Sequence, residues 1–151
     1  MTIDLRPAAD IAREVFGAAG SLGAVPAREW LHTELAGDFV FLSLPEAERE
    51  TAGRDAPLAG LGDTHRVFAV SGAGDAWLID EEGHVSFLDH DRGADAVPQN
   101  MGVGFAGWLQ MADVIAQFET ADDVRLAPAV RGLLNAICDG LAERFPYSLE
   151  A

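Results

Sequence analysis

An α+β fold is predicted: a twisted antiparallel sheet, with a central three-stranded meander and N- and C-terminal helices packed on one side. Three features of the 151-residue sequence point to it. Both ends carry apolar residues at helical spacing, the mark of amphipathic helices. The middle carries short apolar runs separated by glycine-bearing turns, the mark of sequential strands. The length fits a single domain, 1–151, and 49% hydrophobic residues suffice to give it a core.

The first helix starts near Pro7, whose fixed φ suits a first turn. Ile11, Val15, Phe16 and Ala19 make its stripe, and Gly17, Gly20 and Gly23 end it. Pro26 opens a second short helix with Trp30, Leu31 and Leu35 facing inward. Phe39-Val40-Phe41-Leu42 reads as a short buried strand. From Pro45 to Gly62, charged residues mixed with Gly53, Pro57, Gly60 and Gly62 read as a surface connection with one helical turn.

The meander follows. Arg66 to Val70 is its first strand, and Ser71-Gly72-Ala73-Gly74 its first turn. Asp75 to Asp80 is the second strand, with Trp77 and Ile79 on one face. Glu81-Glu82-Gly83 is a tight turn in which Gly83 suits a left-handed position. His84 to Asp89 is the third strand, with Val85 and Phe87 on one face. The alternation leaves one sheet face packed and one available.

Residues 89–104 read as an irregular loop. A helix is expected from Phe105 to Glu119, with Phe105, Trp108, Leu109, Ala112, Ile115 and Ala116 on its stripe. Thr120-Ala121-Asp122-Asp123 breaks it. A last helix is expected from Pro128 to Phe145, its buried side holding Val130, Leu133, Leu134, Ile137, Cys138, Leu141 and Phe145. Trp77 and Trp108 fall on apolar stripes, so core packing is expected of both.

Charge narrows the function. There are 25 acidic and 10 basic residues, a formal net charge of −15, and every basic residue is arginine. Nucleic acid and anionic membrane would be repelled; a basic protein partner would be attracted. The acids cluster in the turns and strand ends of the meander: Asp75, Asp80, Glu81, Glu82, Asp89, Asp91 and Asp95, opposed there only by Arg92. These seven are the candidate partner-binding residues. The start, Met1-Thr2-Ile3-Asp4, lacks the basic and apolar stretches of a signal peptide, and no apolar run approaches the ~20 residues of a membrane span. The cytoplasm is the expected location.

Catalytic motifs are weak. Cys138 is the single cysteine and falls on an apolar stripe. Gly72-Ala73-Gly74 lacks the longer G-x-G-x-x-G pattern and the helix that should follow it, and Asp75 would repel a phosphate. No cofactor is expected. Asp89-His90-Asp91 with Asp75 could ligate a divalent ion, which keeps a metal-dependent hydrolase open as an alternative.

The segments Arg66–Val70, Gly74–Asp80 and Gly83–Asp91, followed by Phe105-Ala106-Gly107-Trp108-Leu109, resemble the SUKH superfamily over about Leu44 to Glu119. The shared pattern is an apolar strand, a Gly-Asp turn, a strand ending in Asp, a Gly turn, a strand ending near Asp-His-Asp, and an F-x-x-W-L helix. The family's Leu-Pro before a helix is matched loosely by Leu44-Pro45, which leaves the subfamily open. The resemblance implies helices on a curved antiparallel sheet and a binding role. Bacterial members are antidotes that sit on a cognate toxin, often a nuclease, whose phosphate-holding cleft is basic. The expectation is therefore an immunity protein that binds such a toxin directly through its acidic surface, not an enzyme. A regulatory or scaffold domain with an endogenous basic partner is the other expectation from the same resemblance.

Overall fold

The computed structural model describes residues 2–18, 22–54, 65–91 and 97–149. Its elements are α1 (Ala8–Phe16), β1 (Thr33–Ala36), β2 (Phe39–Phe41), α2 (Leu44–Gly53), β3 (Arg66–Val70), β4 (Ala76–Ile79), β5 (His84–Leu88), β6 (Gln99–Gly104), α3 (Phe105–Ala121), a 3₁₀ turn at Val124–Leu126, α4 (Ala127–Ile137) and the single turn α5 (Leu141–Arg144). The six strands form one antiparallel sheet in the order β1-β2-β3-β4-β5-β6. The fold is α+β, as expected, and the meander β3-β4-β5 lies at its centre.

The terminal helices share one face of the sheet. α1 begins after Pro7 and buries Ile11 and Ala12; Gly17, at φ 67°, turns the chain out through a left-handed cap. α3 buries Phe105, Trp108, Leu109, Met111, Ala112, Val114 and Ile115. Against them the sheet sets Phe39, Phe41, Phe68, Trp77, Ile79, Val85 and Phe87. Trp77 and Trp108 are both fully buried, in ring contact 6.3 Å apart. Fully burying a side chain of this size contributes about 2–3 kcal/mol, and this aromatic layer is the largest such concentration in the chain.

The other face is not available. α2 lies on it, and Leu42, Ala47, Val67, Ala76, Leu78 and Leu88 form a second, smaller core there. The stretch read as a surface connection is thus, in its first nine residues, a helix. Ser43 and Glu46 form a capping box, with Pro45 in the first turn; Glu46 Oε1 accepts the Ser43 amide at 3.0 Å.

Three further elements differ from the sequence reading. No helix follows Pro26; a turn leads into β1, and Leu31, expected inward, is 74% exposed. Residues 99–104 form a strand, bulged where Gly102 takes φ 76°. The last helix is broken at Cys138–Gly140, where Gly140 has φ 76°. Cys138 is accordingly half-buried, its thiol facing the Gly102 carbonyl at 3.3 Å.

No helix among the described residues is long and apolar enough to cross a membrane.

Candidate functional site

The β4–β5 turn is built by one carboxylate. Asp80 Oδ1 accepts the amides of Glu82 and His84, both at 2.9 Å, and Oδ2 meets His84 Nδ1 at 3.0 Å. Burial pushes the Asp80 carboxyl up, but these bonds outweigh it and hold it below its ordinary range. Gly83, at φ 94°, completes the turn, and its amide donates to the Asp80 carbonyl. Between them Glu81 and Glu82 project, exposed. Neither makes an ion pair with a described residue, so two carboxylates stand in water on a backbone that is already fixed.

Gly83 has a second constraint. A Cβ at this position would sit 2.3 Å from the carbonyl oxygen of Ala24. The segment after α1 is therefore pressed against the turn that carries the two glutamates.

The opposite end of the β4–β5 hairpin holds a different arrangement. Asp75 is buried, 5% exposed. Its Oδ1 meets the His90 amide at 2.9 Å and His90 Nδ1 at 2.5 Å; its Oδ2 accepts from Tyr147 at 2.8 Å and Ser71 at 3.2 Å. Nε2 of His90 meets Asp91 at 3.0 Å, and Asp89 accepts the Asp91 amide at 2.9 Å. Burial pushes Asp75 up, and the bonds from His90, Tyr147 and Ser71 overcome it, so the carboxyl titrates below its usual range. The bond to Asp75, helped by Asp91 and Asp89, raises His90 above the usual imidazole value. Burial first, then the nearby carboxylates, keep the Tyr147 phenol protonated.

His90, raised in the folded state, contributes stability that is complete below about pH 6.5 and is lost as pH rises through its folded value. Asp75, lowered, contributes above about pH 4 and loses it as pH falls through its folded value. The pair is therefore strongest between about pH 4 and 6.5. The His90 ring, followed by NMR, is expected to titrate above 6.5. The decline in unfolding midpoint above that pH should be shallower in His90→Gln. A His90 midpoint at or below 6.5 would contradict the geometry.

Asp75, Asp89 and His90 place ligand atoms within 4.8 Å of one another, the one such group among the described residues. As folded, both ring nitrogens of His90 face carboxylates and both oxygens of Asp75 are hydrogen-bonded. A metal would have to displace the His90 ring from the buried acid. The arrangement is a clasp that ties the C-terminal segment to the sheet end.

The sequence-predicted acidic residues thus fall into separate groups. Asp80, Glu81 and Glu82 lie at one end of the hairpin; Asp75, Asp89 and Asp91 lie at the other, about 13 Å away along four strand residues. Asp75 has no surface to present to a partner, and Asp80 works inside its own turn. Asp95 lies outside the described residues. Sequence reasoning missed Ser71 and Tyr147 as the partners of Asp75. Nothing in the sequence links Tyr147 to a residue 72 positions earlier.

Comparison with protein-family models, with characterised proteins and with solved structures finds no match to the chain. The class that fold and site define is an acidic α+β domain with a preformed, exposed carboxylate turn.

Proposed function

We propose that this chain is an immunity-type protein, one that neutralises a basic toxin, most simply a nuclease, by direct one-to-one binding. The observation that carries the reading is the β4–β5 turn, where Glu81 and Glu82 are exposed, without an ion pair to any described residue, on a backbone fixed by Asp80. A preorganised pair of carboxylates on a chain of net charge −15 accelerates encounter with a basic surface and selects against acidic ones. The likeness of the meander to the SUKH superfamily supports the same reading, since the antidotes of that family act by occupying their toxins.

The test uses Glu81→Arg with Glu82→Arg and leaves Asp80 intact, because replacing Asp80 would disturb the turn itself. The double variant is expected to keep the wild-type unfolding midpoint and to bind the captured partner at least tenfold more weakly, with a shallower dependence on salt. The partner is to be captured from lysate of the native organism at low and raised salt, and then expressed to test rescue of growth. One basic protein, retained tightly and neutralised in the rescue assay, supports immunity. A set of housekeeping proteins with no rescue would replace it with the scaffold reading. Unchanged affinity in the double variant would remove the acidic turn from the interface.

A further inference from the structure

We propose that a groove between the end of α1 and the edge strand β1 receives an extended, basic segment of the partner protein, laid along β1 with an apolar side chain over Phe16 and Trp30. The proposal rests on the reading of the chain as a binder of a basic protein.

The groove arises from the way α1 ends. α1 ends in a left-handed cap at Gly17, and residues 22–33 line the other side of its end before starting β1. The space between has a volume of about 820 Å³, within the range of sites that hold several side chains. Its floor is rigid. The rings of Phe16 and Trp30 stack at 4.4 Å with planes 6° apart, and Phe16 also meets Phe41 at 4.7 Å. Its rim carries Val25, 37% exposed, and Leu31, 74% exposed. Apolar side chains left together in water beside a concave aromatic floor mark a contact surface.

The neighbouring strand fits an extended occupant. β1 and β6 are the two edges of the sheet. The β6 edge is covered: Arg144 Nε donates to the Met101 carbonyl at 3.0 Å, and the Cys138 thiol faces the Gly102 carbonyl. β1 pairs with β2 on one side, and no described strand pairs with its other side. A segment added there gains main-chain hydrogen bonds from the strand and side-chain contacts from the groove, the mode known as strand addition.

Charge identifies the occupant. Glu29 lines the groove, and Glu34 is exposed on β1 itself. Gly23 and Val25 of the groove wall flank Ala24, which is packed against Gly83, so the Glu81–Glu82 turn adjoins the same surface. A second copy of the chain would bring another −15 to this place. A basic segment is drawn to it.

The test uses the full chain, ¹⁵N-labelled, and two fluorescent nine-residue peptides, one alternating arginine and leucine and one alternating glutamate and leucine. The arginine peptide is expected to bind, shifting the amides of Thr33–Ala36 and the Trp30 indole, while the glutamate peptide does not. Leu31→Ser, on a side chain already exposed, is expected to keep the unfolding midpoint and weaken the arginine peptide at least fivefold. Equal binding of both peptides, shifts confined to other surfaces, or unchanged affinity in Leu31→Ser would overturn the proposal. So would a dimer in sedimentation that Leu31→Ser dissociates, which would give the groove to a second copy. The two readings fail separately. Peptide binding at β1 without toxin capture removes the immunity function and leaves the groove. Toxin capture that depends on Glu81 and Glu82 but not on Leu31 removes the groove and leaves the function.

Discussion

Replacing Trp77 with alanine is expected to remove about 4 kcal/mol of stability. The indole is fully buried at the centre of β4. It touches the rings of Phe39 at 5.1 Å, Phe87 at 4.9 Å and Trp108 at 6.3 Å, which belong to β2, β5 and α3. Its Nε1 donates to the Asp38 carbonyl at 2.9 Å, tying the β1–β2 hairpin to the meander. Alanine leaves a cavity bounded by four elements that cannot all close on it, and it also orphans that carbonyl. Domains of this size are stable by roughly 5–15 kcal/mol in total, so the variant should sit near the edge of unfolding. Urea denaturation followed by far-UV circular dichroism measures the difference. Trp77→Phe should recover about half of it, since the ring contacts return but the hydrogen bond does not. A loss below about 1 kcal/mol for the alanine variant would mean that the layer repacks and that Trp77 is not its keystone.

Gly83→Ala is expected to cost about 3 kcal/mol, although it adds a single methyl group at a turn. Two penalties coincide there. A residue with a side chain is strained at φ 94°, and the added carbon would meet the Ala24 carbonyl at 2.3 Å. That neighbour is backbone, so it cannot rotate aside. Either the turn or the segment after α1 must move, and the first loses the Asp80 bonds while the second reshapes the groove. Binding of the partner and of the arginine peptide should both weaken in this variant, whereas Gly132→Ala, with open space around it, should leave both unchanged. Comparison of unfolding midpoints and peptide affinities for the two variants decides the matter. Equal stability of Gly83→Ala and wild type would show that the Ala24 contact is not tight.

Much of this was legible in the sequence because it is local. The stripes of α1 and α3 follow from helical spacing, and the meander follows from short apolar runs punctuated by Gly74 and Gly83. The β1 strand was not legible. Thr33-Glu34-Leu35-Ala36 contains good helix formers, and only its pairing with Phe39–Phe41 makes it a strand. β6 was hidden by Gly102 and Gly104, which read as loop residues and serve instead to bulge the strand and end it. α2 did carry a signal, the Ser43–Glu46 capping box beside Pro45, outweighed in the reading by the glycines and prolines further on. At the site, composition picked out the acids but could not sort them. An Asp that caps a turn, one that is buried under a tyrosine and a Glu that meets water look alike in one dimension.

The clasp between Tyr147 and Asp75 also bears on how the chain reaches this structure. Every strand of the sheet pairs with the one that precedes or follows it, so the sheet can be assembled hairpin by hairpin from contacts close in sequence. Tyr147 closes a span of 72 residues. The entropy of closing a loop rises by about 0.6 kcal/mol per doubling of its length, so this closure costs about 2 kcal/mol more than that of a tight hairpin of about eight residues. Contacts of that kind are expected to form late, so Tyr147→Phe should speed unfolding and leave the refolding rate unchanged in stopped-flow measurements. During synthesis the meander has its full sequence well before Tyr147 exists, and for that interval Asp75 has only the bonds from His90 and Ser71.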